Sequence, residues 1–118
     1  MFINLSNHPF ATWSPSQLSA AREYGDLEEI AFPNIDPGLS KFAVEKMATS
    51  YVKKILEHYL TENLTVHIMG EQTFSYHVVK QLQKAGVRCI ASTTERIVEE
   101  TEDHRKLVRF SFVQFREY

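Results

Sequence analysis

Short apolar segments alternate with longer segments of helical character along this chain. The apolar segments lie at residues 2–6, 27–32, 64–69 and 87–92, and proline, glycine or small polar residues follow them. The segments between them, at residues 15–24, 40–60 and 73–85, predict helices. Strands that are separated by helices of this length pair in parallel through right-handed crossovers, so the pattern predicts an α/β fold.

The helix predictions depend on start signals and on the spacing of apolar residues. Ser14-Pro15-Ser16-Gln17 has the form of a capping box with proline at the first helical position, and Gly25 is a natural end for this helix. The second helix has one apolar stripe at the helical period, formed by Val44, Ala48, Tyr51, Val52, Ile55 and Tyr59. The buried side of the third helix is predicted at Phe74, Val78, Val79 and Leu82.

The simplest topology for this pattern is a small doubly wound, mostly parallel, Rossmann-like sheet with strand order 2-1-3-4-5. Residues from 94 onward predict a strand, a polar turn at residues 102–104 and a last, antiparallel strand at residues 107–115. Apolar residues occur at both parities of that last strand, so we expect it to be covered on both faces, at least in part. The alternative, a ferredoxin-like split βαβ fold, would place hairpins early and use two helices. The 118 residues suit one domain, 1–118.

Charge and composition exclude several classes of function. Thirteen basic and fifteen acidic residues give a net charge of −2, which argues against binding duplex nucleic acid by charge but allows a small anionic ligand. Cys89 is the only cysteine, so no intrachain disulfide can form. No apolar run approaches the ~18 residues of a membrane span, and the amino terminus lacks the basic flank of a signal peptide. We therefore expect a cytoplasmic protein that does not bind membranes, and no ligand spacing predicts a metal site.

Polar side chains follow the predicted parallel strands at the edge where ligands bind in doubly wound sheets. Such ligands lie beyond the carboxyl ends of the strands, where the strand order reverses, which here is between strands one and three. The polar groups at this edge are Ser6, Asn7, His8 and Trp13 after strand one, Asn34 and Asp36 after strand two, Gly70, Glu71, Gln72 and Thr73 after strand three, and Ser92, Thr93, Thr94, Glu95 and Arg96 after strand four.

Two of these segments suit an anionic ligand. The turn from Gly70 to Thr73 can point the first helical amides at an anion, although it also has the form of a plain strand-to-helix turn with Thr73 as N-cap. Glu71 works against a phosphate at this turn unless its side chain points away. The run from Ser92 to Arg96 offers hydroxyls and a guanidinium to phosphate or ribose oxygens, and its alternative interpretation is an exposed segment with a surface Glu–Arg pair.

Histidine and tryptophan side chains supply the remaining candidates. His8 is the best acid–base candidate because it lies in a loop and histidine is the side chain best suited to proton transfer at neutral pH, and its alternative is a surface histidine. His67 lies within the central strand and is interpreted as a neutral, hydrogen-bonded core histidine. Cys89 is interpreted as buried packing. Trp13 can stack on a base or can pack with Phe10 against the first helix.

Several of these segments together resemble the small CRISPR-associated proteins of the CARF-like Rossmann group, which accompany type III systems. The resemblance rests on Ser6-Asn7-His8-Pro9 followed by Trp13, on Gly70-Glu71-x-Thr73, and on the flanking runs His67-Ile68-Met69-Gly70-Glu71, Ala91-Ser92-Thr93-Thr94-Glu95-Arg96 and Phe115-Arg116-Glu117-Tyr118. It implies an antiviral defence protein that binds a cyclic oligoadenylate second messenger at this rim, across a homodimer and without a cofactor.

The resemblance also implies a reaction, in which a ribose 2′-oxygen attacks its neighbouring phosphate in line and no metal takes part. Under it, Gly70 and Thr73 would hold phosphate, Arg96 would stabilise charge and His8 would transfer protons. Two other functions stay open. One is a nucleotide sensor or sponge without turnover, and the other is an interaction module that uses the phenylalanine-rich last strand.

Overall fold

Five strands form one sheet in the order β2-β1-β3-β4-β5 in the computed structural model, which describes all 118 residues. The strands are β1 Phe2–Ser6, β2 Leu27–Glu29, β3 Thr65–Met69, β4 Arg88–Glu100 and β5 Lys106–Glu117. The helices are α1 Pro15–Arg22, α2 Lys41–His58 and α3 Gln72–Lys84, and a short 3-10 turn spans Phe10–Thr12. None of the helices has the length and apolar character needed to cross a membrane.

The strand pairing confirms the predicted topology. β1 lies between β2 and β3 and is parallel to both, and β3 is parallel to β4. β4 and β5 form an antiparallel hairpin. The strand order therefore reverses between β1 and β3, as the alternation of strands and helices predicts, and the ferredoxin-like alternative is excluded.

Helices pack on both faces of the sheet, and their buried residues follow the predicted stripes. The side chains of Ser14 and Ser40 accept hydrogen bonds from Gln17 N and Ala43 N, at 3.2 and 3.1 Å, and so cap α1 and α2. The larger core cluster joins α2 and α3 to one face of the sheet, and it includes Ile3, Leu5, Val66, Ile68, Val44, Ala48, Val52, Ile55, Phe74, Val78 and Leu82. The smaller cluster lies on the α1 face and contains Phe2, Trp13, Ala21 and Ile90.

The end of the chain differs from the prediction in one important respect. β4 is a single strand of 13 residues and β5 has 12, whereas β1 and β3 have 5 each, so the hairpin extends beyond the other strands. The prediction that the last strand is covered on both faces, at least in part, is wrong for the outer half of β5, since Leu107, Val108 and Phe110 are 53, 42 and 68% exposed, whereas Phe115 packs against the smaller core cluster. The physical reason is length, because the helices pack over the short parallel strands and do not cover the outer half of the hairpin.

Candidate functional site

A pocket of about 390 Å³ opens at the carboxyl edge of the short parallel strands, beside the ends of β1 and β3 and the middle of β4. This is the place where the strand order reverses and where ligands of doubly wound sheets bind. The pocket is lined by His8, Thr12, Trp13, Gln17, His67, Met69, Ser92, Thr94 and Phe110. The structure thus brings together residues from the segment after β1, from α1, and from β3, β4 and β5 that are distant in the sequence.

A buried hydrogen-bond network forms the floor of this pocket, and its geometry determines which atoms donate. The Asn4 side chain donates from Nδ2 to the backbone carbonyl of His8 at 2.9 Å, so Oδ1 is its acceptor end. Oδ1 accepts from the Ser6 hydroxyl at 2.7 Å and lies 2.9 Å from Nδ1 of His67. Because Oδ1 can only accept, His67 is assigned as the neutral tautomer with its proton on Nδ1.

The second ring nitrogen of His67, Nε2, is consequently an acceptor, and its donor is the hydroxyl of Ser92. Oγ of Ser92 lies 2.7 Å from Nε2 and donates its proton to that nitrogen. The Gln17 side chain on α1 donates to the same Ser92 oxygen at 3.0 Å. One lone pair of this oxygen remains, and since Ser92 lines the pocket, a hydrogen-bond donor on a ligand can use it.

Aromatic rings enclose the imidazole of His67, which is 1% exposed. The ring of Phe2 stacks on it with centroids 6.0 Å apart, and Trp13 and Phe115 meet it edge-on at 5.0 and 5.6 Å. Burial, with a smaller contribution from the nearby charge of His8, lowers the pKa of His67 from 6.5 to about 3. The side chain is therefore a neutral, hydrogen-bonded core histidine, as its position in the central strand predicts.

Ser92, His67 and Asn4 are bonded in the order of nucleophile, base and orienting group that hydrolases use. A nucleophilic serine needs its histidine to become positively charged in the transition state. The lowered pKa of His67 disfavours the imidazolium by about 5 kcal/mol relative to an ordinary histidine. The neutral amide of Asn4 brings no negative charge to offset this cost. The network is therefore better suited to hold a ligand than to activate Ser92 as a nucleophile.

His8 lies exposed at the rim of the pocket, above this network. Its carbonyl accepts hydrogen bonds from Asn4 Nδ2 and from Nε1 of Trp13, the latter at 2.8 Å, and its amide donates to Ser6 Oγ at 3.2 Å. These bonds hold the backbone of His8 in place while its imidazole stays in contact with solvent. Proton transfer by His8 is compatible with this position and stays a prediction.

Trp13 forms a wall of the pocket and is only 7% exposed. Besides meeting His67, its ring contacts Phe10 edge-on with centroids 4.8 Å apart and contacts Phe2 edge-on at 5.9 Å. Leu18 of α1 packs against the same cluster. Packing against these neighbours therefore buries most of the Trp13 side chain, as one of its two interpretations predicts. A ligand can contact only the part that faces the pocket.

The turn from Gly70 to Thr73 carries a carboxylate of its own at the start of α3. The Glu71 side chain accepts from the amide of Phe74 at 2.7 Å and from the amide of Thr73 at 3.2 Å. The Thr73 hydroxyl also donates to it, at 2.7 Å. These bonds, first of all the one from the Phe74 amide, hold the pKa of Glu71 below its usual range. Glu71 points into the turn, so a phosphate would have to displace it to reach the amides that the sequence offers to an anion.

Replacing Glu71 with alanine is expected to lower the free energy of unfolding by about 1 kcal/mol, because two amides at the start of α3 lose their partner. Urea denaturation at pH 7 measures the change. Glu62→Ala is the matched control, since Glu62 is exposed and lies outside the helices, and it should change stability by less than about 0.5 kcal/mol. Equal losses in the two variants would show that Glu71 does not act as a cap.

The predicted residues from Ser92 to Arg96 lie within β4, so their side chains alternate between the two faces of the sheet. Thr94 lines the pocket with Ser92, whereas the Thr93 hydroxyl exchanges hydrogen bonds with the backbone of Gln114 at 3.1 and 3.2 Å. Arg96 is exposed and lies two residues beyond Thr94 on the same face of β4, outside the pocket lining. It can reach a ligand that extends from the pocket along the hairpin, and its role in charge stabilisation stays a prediction.

The remaining predicted residues do not line this pocket. The Asn7 amide donates to the Met69 carbonyl at 3.0 Å and so joins the ends of β1 and β3, and its side chain is exposed. Gln72 begins α3, is exposed, and lines with Thr73 a different pocket, at the starts of α2 and α3. Asp36 accepts a hydrogen bond from the Gly38 amide at 2.8 Å, which closes its own turn.

A comparison with known protein families finds a match over nearly the whole chain. Residues 1–116 match the family described as "Uncharacterized protein MJ1673 family". The chain belongs to this family. The match of the MJ1673 family covers every residue of the pocket, from His8 to Phe110. No curated protein and no solved structure matches the chain.

Three residues of the pocket floor, Asn4, Gln17 and His67, are absent from the predicted site residues, because His67 is predicted as a core histidine only. Asn4 is the one polar residue inside the apolar run Phe2-Ile3-Asn4-Leu5, and asparagine is disfavoured in strands. A buried amide there must find partners, which is a signal that sequence reasoning can use. Gln17 gave no such signal, because its place in the capping box already explained it. In this MJ1673 family member Asn4 is hydrogen-bonded to His67, and Gln17 is hydrogen-bonded to Ser92.

Proposed function

We propose that the protein binds a cyclic oligoadenylate, one nucleotide of which enters the pocket over Ser92, and cleaves it in type III CRISPR signalling. The observation that carries the proposal is the pocket at the reversal of strand order, with its directed network from Asn4 through His67 to Ser92. Its volume of about 390 Å³ falls within the roughly 300–1,000 Å³ of small-molecule sites. The resemblance of the sequence to CARF-like proteins supplies the identity of the ligand.

The floor of the pocket requires a hydrogen-bond donor from the ligand. Ser92 Oγ uses its proton on His67 and one lone pair on Gln17, so the lone pair that remains accepts a hydrogen bond. A ribose hydroxyl or the exocyclic amine of adenine is a donor and satisfies this requirement. Because the pKa of His67 is about 3, the polarity of the floor does not change between pH 5 and pH 8.

The proposed cleavage needs few protein groups. A ribose 2′-oxygen attacks the adjacent phosphorus, the bond to the 5′-oxygen breaks, and the product is a 2′,3′-cyclic phosphate. His8 at the rim moves protons between these oxygens, and Arg96 on the same face of β4 offsets charge on the phosphoryl oxygens. Both side chains are exposed, so they can approach a ligand whose sugar–phosphate ring lies above the pocket.

Incubation with labelled cyclic oligoadenylates in the presence of EDTA tests binding and cleavage together. We expect Ser92→Ala to weaken binding about tenfold, since a buried hydrogen bond to the ligand is lost. We expect His8→Ala to slow cleavage at least about a hundredfold with binding retained. Thr93→Ala is the matched control for Ser92, because Thr93 is the next residue and faces the other side of the sheet. Absence of binding by the wild-type protein would refute the proposal.

A sensor or sponge without turnover is the second candidate, and one observation favours it. The only histidine in direct contact with the floor serine is held neutral with a pKa of about 3, which makes it a weak base. Under this alternative the wild-type protein binds cyclic oligoadenylate and forms no linear product, and His8→Ala leaves the ligand equally intact. Mass spectrometry of the ligand after incubation separates the two functions.

A further inference from the structure

The outer edge of the sheet is a long strand that nothing covers. β5 is the last strand in the order, so one side of its backbone has no neighbouring strand along the 12 residues from Lys106 to Glu117. Within it, residues 110–115 read Phe-Ser-Phe-Val-Gln-Phe, with no charge, no proline and no glycine. Uncharged, β-prone edge strands of this kind pair readily with a further strand, which is why monomeric proteins avoid them.

The hairpin that carries this edge also exposes apolar side chains. Those of its outer part are Val98, Leu107, Val108 and Phe110, which are 47, 53, 42 and 68% exposed. A two-stranded ribbon is at best marginally stable in water without a further strand or a covering element. Val98 pairs with Val108 and Arg96 pairs with Phe110, so Val98, Val108 and Phe110 share one face, which continues past Arg96 into the pocket that Phe110 helps to line. Leu107 pairs with Glu99 and lies on the other face.

We propose that a second copy of this chain covers this edge, with the two β5 strands antiparallel about a two-fold axis between Ser111 and Phe112. An isologous interface of this kind closes after two copies and leaves no free edge on either β5. The outer half of each hairpin then lies beside the inner half of β5 of the other copy, against which α1 packs in that copy. Each unsupported hairpin becomes part of a larger, supported sheet. This inference does not depend on the ligand proposed above.

The charges on β5 favour this axis. It places Lys106 opposite Glu117 of the second copy, Val108 opposite Phe115, and leaves no two like charges directly opposite. An axis between Phe112 and Val113 would instead place Arg109 opposite Arg116, which is destabilising.

The side chains also match in direction. The irregularity between Thr93 and Thr94 shifts the register of β5. As a result Val108, opposite Val98, and Phe115, opposite Ser92, lie on the same face of the sheet, since Ser92 and Val98 share a face of β4. Opposite residues in antiparallel strands have side chains on one face, and the pairs that join residues 106–109 to residues 114–117 of the other copy satisfy this rule. At the axis itself Ser111 and Phe112 lie on opposite faces, because they pair with Glu95 and Thr94, so the ladder is interrupted there, next to the bulge.

Sedimentation velocity or light scattering measures the mass in solution, and we expect twice the chain mass of 13.7 kDa for the wild-type protein. Phe110→Lys should shift the protein to the monomer, because it places a charge on the apolar face beside the axis. Phe42→Lys is the matched control, since Phe42 is 75% exposed at the start of α2, and it should leave the dimer intact. A monomeric wild-type protein, or equal dissociation by both substitutions, would overturn the proposal.

A cross-link tests the register. Lys106→Cys combined with Glu117→Cys should form a covalent dimer on mild oxidation, because opposite residues lie about 4.5–5.5 Å apart, within the range of a disulfide. The two positions are about 35 Å apart within one chain, so the bond can form only between copies. Each single substitution should stay uncross-linked, and burial raises the pKa of Cys89 to about 12, which keeps that thiol out of the reaction. No cross-link in the double variant would refute the register and the proposal.

Discussion

Lowering the pH from 7.5 to 4 is expected to remove about 3 kcal/mol of folding free energy through His67 alone. Burial, followed by the charge of His8, lowers the pKa of His67 to about 3 in the folded protein, while the unfolded chain has the ordinary value of 6.5. The unfolded state therefore binds a proton below pH 6.5 that the folded state does not bind until about pH 3. The contribution of His67 is complete above pH 6.5 and is lost as the pH falls toward 3.

Urea denaturation of the wild-type protein and of His67→Gln between pH 7.5 and 4 isolates this effect. Acidic groups such as Glu71 also lose stabilisation as the pH falls, but they do so in both proteins, and the difference between the two curves belongs to position 67. His58→Gln is the control, because His58 is exposed at the end of α2 and its replacement should preserve the wild-type slope. Parallel curves for the wild-type protein and His67→Gln would contradict the prediction.

Nuclear magnetic resonance gives the same information without any substitution. The ring carbons and nitrogens of His67 should keep the chemical shifts of the neutral tautomer protonated on Nδ1 down to about pH 4. A shift of these signals near pH 6 would show that the ring titrates as an exposed histidine does, and would also remove the polarity argument for the pocket floor.

The topology could be predicted because its determinants are local. The cap at Ser14, and the apolar stripe through Val44, Ala48 and Val52, identify helices without reference to the rest of the chain. Helices between short apolar strands then require parallel pairing, which leads to the observed strand order. The covering of β5 could not be predicted in this way, because alternation along one strand does not reveal how far its neighbours extend.

For the pocket, the sequence predicts the edge of the sheet on which it lies but not its internal contacts. His8 and Trp13 follow β1, and Ser92 and Thr94 lie at and beyond the predicted end of the fourth strand, so topology alone places them near each other. The contact between His67 and Ser92 depends on the register between β3 and β4, which no local pattern determines.

The role of the turn at Gly70 could not be predicted for a different reason. A strand-to-helix turn that offers amides to an anion and one that caps itself with Glu71 have the same sequence pattern. Only the direction of the Glu71 side chain decides between them, and that side chain accepts hydrogen bonds from Thr73 and Phe74.

Replacing Phe2 with alanine is expected to lower the free energy of unfolding by about 3–5 kcal/mol. Phe2 is fully buried and is the centre of the aromatic cluster on the α1 face, where its ring contacts those of Trp13, Tyr24, His67 and Phe115. Removing it leaves a cavity beneath His67 and allows water to approach the imidazole. We therefore expect the pKa of His67 to rise toward 6.5 in this variant, with weaker binding in the pocket.

Two measurements on the same variants distinguish packing from an effect on the site. Phe42→Ala, at an exposed position on α2, should change stability by less than about 0.5 kcal/mol and leave the pKa of His67 unchanged. Phe2→Leu, which retains most of the buried volume, should cost less than about 1.5 kcal/mol and keep the ring neutral. If Phe2→Ala lost stability while the pKa of His67 stayed near 3, burial by this cluster would not be the cause of the shift, since the ring that stacks on the imidazole would be gone. The acid sensitivity of folding and the neutral pocket floor therefore have one structural origin, the aromatic packing around His67.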